Sequence, residues 1–166
     1  MTKKERDNPI AKTFQATFFL KTFNTMIIAL LRVGVKMGNM TLLTVRGRKS
    51  GQPRTTPVML TQQNGQRWLF SPYGQVNWVR NLRAAGEATL TRGRHTERIC
   101  AVELSAREAA PMLKHTLAGV PSYLLPYFDV TPDSPLEDFE REVPRHPVFL
   151  LKRVSKQQDA GLKRNL

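Results

Sequence analysis

Residues 42–58, LLTVRGRKSGQPRTTPV, read as a strand, a basic turn and a second strand. The apolar ends are typical of strands, and the glycines between them are typical of a turn. The turn carries four positive side chains within nine positions and no acidic one: Arg46, Arg48, Lys49 and Arg54. The pattern therefore predicts a hairpin with a strongly positive turn.

This turn has the chemistry of an anion-binding site. Gly47 and Gly51 bracket an Arg-Lys-Ser sequence, and glycine lets an anion approach backbone N–H groups closely. Lysine and arginine add charge, and Ser50 adds a hydroxyl donor. The glycine and lysine spacing of a nucleotide P-loop is missing. The turn alone leaves two interpretations open, a phosphate or carboxylate site and a plain solvated turn.

The composition favours one domain with an anionic partner. The chain of 166 residues has 26 Lys and Arg against 13 Asp and Glu, a net charge of +13. Nucleic acid, a membrane surface and a polyanionic small molecule are the candidate partners. Cys100 is the single cysteine, so no intrachain disulfide can form, and we expect a cytoplasmic location.

The N-terminal part predicts an amphipathic helix within residues 13–38, after a disordered terminus over residues 1–12. Between residues 14 and 36, four polar residues share one side of the helix: Lys21, Thr25, Arg32 and Lys36. The apolar side either packs on the domain or contacts a membrane surface. The stretch between charges is too short to span a bilayer.

Short strands linked by hairpin signals dominate the remaining sequence. Asn64-Gly65 predicts a tight hairpin, and Ser105 with Glu108 predicts a capping box that begins a helix over residues 106–117. Further strands are expected over residues 54–62, 66–71, 88–92, 96–104 and 147–154, and helices over residues 77–85 and within 131–143. Cys100 lies in one of these strands and is expected to be a core residue and not a nucleophile. The order predicts an α+β fold, an antiparallel sheet or small barrel with helices packed on it.

Two stretches resemble the deazaflavin-dependent nitroreductase family, residues 42–58 and FSPYGQVNWVRNLRAAGEATL, residues 70–90. That family has a GRKSG or GRKTG turn followed by an arginine and a strand proline. A serine-glycine loop, a tryptophan and Asn-Leu follow. The matching positions are Gly47, Arg48, Lys49, Ser50, Gly51, Arg54 and Pro57, then Ser71, Gly74, Trp78, Asn81 and Leu82.

The resemblance implies an antiparallel split β-barrel of the FMN-binding-like kind, as one domain over residues 13–156 with a basic tail over residues 157–166. The cofactor of that family is 8-hydroxy-5-deazaflavin (coenzyme F420), whose phosphate and oligoglutamate tail are anionic. The implied activity is hydride transfer from the reduced cofactor to a small hydrophobic acceptor: a quinone, a nitro compound or an activated alkene. Split barrels often pair, so a monomer and a homodimer both stay open.

The resemblance also assigns site residues. Lys49, Ser50 and Arg54 are expected to bind the phosphate, and Arg46 or Arg48 to reach the glutamate tail. The other cofactor-binding candidates are Gly51, Thr56, Pro57 and Val58 along the ring system, Ser71, Pro72, Tyr73 and Gly74 in a covering loop, and Trp78 and Asn81 behind that loop. No residue is expected to act as an acid-base catalyst, because the cofactor performs the chemistry. The candidates on the acceptor side are Tyr73, Tyr123 and Tyr127.

Several alternatives stay open. Trp78 and the tyrosines could instead pack in the core or the barrel mouth, and Asn81 could lie on a helix surface. FMN is the alternative cofactor, although its single phosphate needs fewer cations than this turn provides. A non-enzymatic nucleic-acid or membrane-surface binder is a further alternative. The basic turn has no aromatic residue for base stacking, which counts against nucleic acid as a partner.

Overall fold

The computed structural model describes the backbone of residues 18–154 and the side chains of residues 25–154. Within residues 18–154, four α-helices and six strands occur in the order α1 (Phe18–Arg32), β1 (Met40–Arg46), β2 (Pro53–Gln63), β3 (Gln66–Phe70), α2 (Asn77–Ala85), β4 (Glu87–Arg92), β5 (His95–Glu103), α3 (Ala106–Leu117), α4 (Leu136–Glu142) and β6 (Val148–Arg153). Short 3₁₀ helices cover Ser122–Tyr127 and Val143–Arg145. The predicted terminus over residues 1–12 and the tail over residues 157–166 lie outside the described residues.

The strands form a closed antiparallel barrel in the order β1-β2-β3-β6-β5-β4, with β4 pairing back to β1. This confirms the predicted antiparallel barrel. Closure removes the exposed sheet edges at which other chains could pair. The Asn64-Gly65 hairpin between β2 and β3 is also confirmed, with both residues at positive φ.

The described chain divides into two compact units. The barrel unit comprises residues 18–69, 76–103 and 149–154, and the helical unit comprises residues 70–75 and 104–148. The prediction of one domain over residues 13–156 stays a prediction.

One cluster of buried apolar side chains holds the barrel unit together. Its members come from every strand and from α2: Leu43, Val45, Val58, Leu69, Val79, Leu82, Ala88, Leu90, Ile99, Phe149 and Leu151. Successive side chains of a strand point to opposite faces, so the burial of Ile99 places the next residue outside. Cys100 is indeed exposed, and its predicted core position is wrong.

Helix α1 ends before the C-terminal end of the predicted range of residues 13–38. It ends at Arg32, and Gly34 follows with φ +90°, a left-handed conformation that glycine adopts at low cost. Ile27 and Leu31 pack with Leu42 of β1. The described apolar side chains of this helix are therefore used, at least in part, within the barrel unit.

The other helices begin and end where local signals place them. Gly86 ends α2 with φ +67°, and its N–H donates to the carbonyl of Leu82. In the helical unit, Ser105 and Glu108 form the predicted capping box at α3. Hydrogen bonds from Ser105 lower the pKa of the exposed Glu108 carboxyl. Helix α4 is confirmed within residues 131–143.

Candidate functional site

The basic turn of residues 47–52 connects β1 to β2 at one end of the barrel unit. The register places Val45 opposite Arg54. The Gly47 N–H donates to the carbonyl of Gln52 at 2.9 Å, and the Gly51 N–H donates to the carbonyl of Gly47 at 2.8 Å. The predicted hairpin is therefore present, and its turn is closed by its own backbone.

Both glycines of the turn are required by its geometry. Gly51 has φ +68°, in the left-handed region that disfavours side chains. A Cβ at Gly47 would lie 3.0 Å from Ser50 Oγ and 3.1 Å from the Gln52 carbonyl oxygen. A larger residue at either position would distort the turn.

Asn81 of α2 anchors the turn from the side. Its Oδ1 accepts a hydrogen bond from Nη1 of Arg48 at 2.9 Å and from the Arg48 backbone N–H at 3.3 Å. Asn81 is 6% exposed, so the alternative of a helix surface residue is wrong. Sequence reasoning placed Asn81 behind the loop of residues 71–74 and missed its bond to the turn. The sequence did hold one sign of this bond. Asn81 lies among the buried residues of α2 with Val79 and Leu82, and a buried amide needs a hydrogen-bond partner.

Two backbone donors of the turn point to no protein acceptor. Within the described part of the chain, the N–H groups of Lys49 and Ser50 have no hydrogen-bond partner. Ser50 Oγ accepts from the Gln52 N–H at 3.4 Å, which leaves the hydroxyl hydrogen free to donate. Consecutive free donors of this kind are a recurring feature of anion-binding turns.

The cations of the turn are also unneutralised. Arg46, Lys49 and Arg54 are exposed, and no acidic side chain among residues 25–154 forms an ion pair with them. Elsewhere on the barrel unit, arginines do pair with acids: Arg67 with Glu97, Arg83 with Glu103 and Arg98 with Glu87. The surplus of 26 basic over 13 acidic residues requires some unpaired cations, and three of them gather on this turn.

The strand that leaves the turn presents its residues on alternate faces. Val58 is buried in the barrel core, and Thr56 lies on the same face, opposite Leu43 of β1. Pro57 lies opposite Leu42 and faces the other way. Thr56 and Pro57 are half-buried, so the side chains of the three predicted ring contacts do not share one face.

Trp78 contributes to the core. Its ring centroid lies 5.9 Å from that of Phe149, and the side chain packs against the apolar cluster of the barrel unit. This contact agrees with the packing alternative for Trp78.

The loop of residues 70–75 belongs to the helical unit and is tightly bonded. Ser71 is fully buried, and its hydroxyl donates to the carbonyl of Gly74 at 2.6 Å. Gly74 has φ +74°, and a Cβ there would lie 3.1 Å from the carbonyl oxygen of Arg145. This close approach explains why glycine occupies the position.

The three tyrosines of the protein gather in the helical unit. The rings of Tyr73 and Tyr127 meet edge to face, with centroids 5.0 Å apart and planes at 86°. Burial raises the pKa of the Tyr73 phenol, and the neighbouring phenols of Tyr123 and Tyr127 raise it further. Tyr73 is therefore a neutral hydrogen-bond donor at physiological pH.

A profile of the F420H(2)-dependent quinone reductase family matches residues 22–127, more than half of the chain. The chain belongs to this family. It is an oxidoreductase of the deazaflavin-dependent class, and its cofactor is F420.

Several solved structures are similar to this chain. One described as a domain-swapped dimer has 20% identity and a TM-score of 0.52, over 77% of this chain and 95% of that one. Protein Atu2129 of Agrobacterium tumefaciens str. C58, of unknown function, has 15% identity and a TM-score of 0.50, over 87% and 58%. The F420-H2-dependent reductase FDR-A has 22% identity and a TM-score of 0.48, over 69% and 94%. A search of curated proteins finds no match.

None of the helices within the described residues is both long and apolar enough to cross a bilayer.

Proposed function

We propose that the protein transfers a hydride from reduced F420 to a quinone, and that the basic turn holds the anionic part of the cofactor. The observation that carries this proposal is the turn itself. Lys49 and Ser50 offer free backbone donors, and Arg46, Lys49 and Arg54 offer cations without acidic partners among the described residues. An external anion is the partner that satisfies both.

The donors suit a phosphate and a chain of carboxylates. The phosphate would be bound by a group of adjacent donors: the Lys49 side chain, the Ser50 hydroxyl and the two free N–H groups. Arg46 and Arg54 flank the turn on β1 and β2 and would bind carboxylates of the oligoglutamate tail. Arg48 is held by Asn81, so its role is to anchor the turn.

The bound reduced cofactor would supply the hydride, and the protein would supply position and charge. Reduction of a quinone to a hydroquinone also needs protons, and negative charge develops on the acceptor oxygen as the hydride arrives. A neutral hydroxyl donor stabilises such an oxygen. We assign this role to Tyr73, with Tyr127 and Tyr123 as its neighbours.

Further proposals concern the loop, other acceptors and the assembly. Ser71, Pro72 and Gly74 would contribute to cofactor binding through their backbone. Nitro compounds and activated alkenes would be further acceptors. A homodimer would be seen by light scattering, and membrane contact through residues 14–36 by co-sedimentation with anionic vesicles.

The test is an assay of F420H2 oxidation with the purified protein. The donors are F420H2, reduced FMN and NADPH, and the acceptors are a naphthoquinone, a nitroaromatic compound and an enone. We expect F420H2 to be consumed fastest with the quinone. Preference for reduced FMN would move the proposal to an FMN-dependent reductase. No consumption of F420H2 with any acceptor would contradict it.

The role of Tyr73 is tested in the same assay with Tyr73→Phe. This change removes the hydroxyl but keeps the ring that packs on Tyr127. We expect kcat for the quinone to fall by roughly 10²-fold, the usual effect of losing one donor to a developing anion. Tyr123→Phe is the matched control, because Tyr123 is 66% exposed.

A further inference from the structure

The helical unit contains a buried acid-base pair that the proposed chemistry does not use. Glu142 near the end of α4 and His146 lie four residues apart, with Nε2 of His146 3.0 Å from Oε1 of Glu142. Their side chains are only 5% and 4% exposed. Ionisable groups this deeply buried are costly unless paired, so their retention needs a reason.

The pair connects two segments of the helical unit that also meet through the Tyr73–Tyr127 contact. On one side, Nδ1 of His146 donates to the carbonyl of Ser71 at 3.0 Å. On the other, Oε1 of Glu142 accepts the backbone N–H of Asp129 at 3.1 Å. The imidazole also stacks on Phe128, with centroids 4.1 Å apart. Glu142 and His146 therefore form a bridge between residues 71 and 129.

These two anchor points flank the tyrosine contact. Ser71 lies two residues before Tyr73, and Asp129 lies two residues after Tyr127. Holding the two backbone groups holds the edge-to-face arrangement of the two rings, which meet at 5.0 Å. Arg145 reinforces the second anchor, since its guanidinium forms ion pairs with Asp129 and with Oε2 of Glu142.

The bonds of His146 also fix its tautomer. The Ser71 carbonyl can only accept, so Nδ1 carries a hydrogen. Nε2 lies 3.0 Å from Oε1 of Glu142, so one hydrogen is shared between these two atoms as well.

We propose that Glu142 and His146 are positioning residues that set the Tyr73–Tyr127 contact and so direct the Tyr73 hydroxyl for catalysis. The catalytic part of this inference rests on the proposed function. The structural part, which concerns the ordering of Tyr73, does not depend on it.

The test uses the full chain with tyrosine labelled at ¹³Cζ, whose chemical shift reports phenol ionisation. The protein has three tyrosines, so single Tyr→Phe variants assign the three signals. His146→Phe keeps a ring against Phe128 but removes both hydrogen bonds. Glu142→Gln keeps an oxygen for the Asp129 N–H but removes the charge. Urea unfolding confirms that each variant is folded, and Glu142→Gln carries the test if His146→Phe is not.

Thr116→Val is the matched control. Thr116 is buried in the same unit and its hydroxyl donates to the Met112 carbonyl at 2.8 Å, within α3. Its loss weakens the unit without changing the bridge. We expect the Tyr73 signal to shift and its titration midpoint to fall in both bridge variants, and both to stay unchanged in Thr116→Val.

The rate of quinone reduction distinguishes the positioning role from the proposed function. In the bridge variants, kcat for the quinone should fall by roughly 10- to 100-fold, as for a misplaced catalytic group. If the wild type does not oxidise F420H2 but Tyr73 still responds, the proposed function fails and the positioning role stands. If Tyr73 and kcat are the same in wild type and both variants, the positioning role is overturned.

Discussion

The side-chain oxygen of Asn81 accepts hydrogen bonds from both the backbone and the guanidinium of Arg48, at 3.3 and 2.9 Å. This contact ties helix α2 to the basic turn between β1 and β2. A turn whose cations and free N–H groups bind an anion needs such support, because an unsupported loop would lose entropy on binding.

Asn81→Ala should weaken cofactor binding without unfolding the protein. The change removes one buried acceptor, so we expect the free energy of unfolding to fall by about 1 kcal/mol. The turn loses its anchor, and the Kd for F420 should rise by roughly tenfold, equivalent to about 1.4 kcal/mol. Fluorescence titration and urea unfolding measure the two effects. Asn77→Ala, at an exposed position of the same helix, is the control, and equal Kd values for both variants would argue against the anchor.

Gly51→Ala should affect both stability and binding. Alanine at φ +68° costs about 1 kcal/mol, and relief of that strain would turn the N–H groups of the turn. Gly65→Ala imposes the same kind of strain at φ +75° in the β2–β3 turn, where a Cβ would meet nothing within 4 Å. We expect similar losses of unfolding free energy in the two variants but weaker F420 binding only in Gly51→Ala. Equal F420 binding by the two variants would show that the geometry of the basic turn does not affect cofactor binding.

The barrel unit should lose stability in acid through Glu97. Burial opposes ionisation of this carboxyl, but hydrogen bonds and charge from Arg67 and Arg153 outweigh it and lower its pKa. A depressed folded pKa gives stability that is present above the unfolded value, about 4.3, and lost as pH falls through the folded value. Glu97→Gln should therefore flatten the acid side of the unfolding free-energy profile.

The matched control for this pH profile is Glu87→Gln. Glu87 pairs with Arg98 at the barrel surface, where its side chain is 48% exposed, and exposed pairs contribute about 0–1 kcal/mol. Urea unfolding at a series of pH values makes the comparison. The assignment to Glu97 fails if both variants keep the wild-type acid dependence.

Cys100 should react in the folded protein. It lies on β5 between Ile99 and Ala101 with its side chain on the exposed face. We expect one maleimide to be incorporated under native conditions, and Cys100→Ser to change the unfolding free energy by less than about 0.5 kcal/mol, as for a surface site. Labelling that appears only in denaturant would show that the thiol is buried.

Local signals in the sequence predict much of this fold. The glycines and cations of the turn, the end of α2 at Gly86 and the capping box at α3 depend on residues within a few positions of one another. Cys100 was misplaced because its strand carries apolar residues on both faces, as in Ile99-Cys100-Ala101-Val102, so alternation does not fix which face is inside.

The contacts that hold the candidate site were beyond such reasoning. Asn81 meets Arg48 across 33 residues of chain, and His146 meets Ser71 across 75. Such long separations in sequence give no sign that the two residues of either pair are in contact. Only the folded chain brings them together.

The central claim is that the basic turn binds the anionic part of F420. Its most direct test compares the Kd of whole F420 with that of the 8-hydroxy-5-deazaflavin chromophore lacking phosphate and glutamates. Wild type is measured beside the triple variant Arg46→Gln, Lys49→Gln and Arg54→Gln, with Arg94→Gln as the control in another exposed turn. Wild type and Arg94→Gln should prefer whole F420, and the preference should weaken with salt. The triple variant should lose most of that preference while still binding the chromophore. If it keeps the full preference, the anion is bound elsewhere and the claim is wrong.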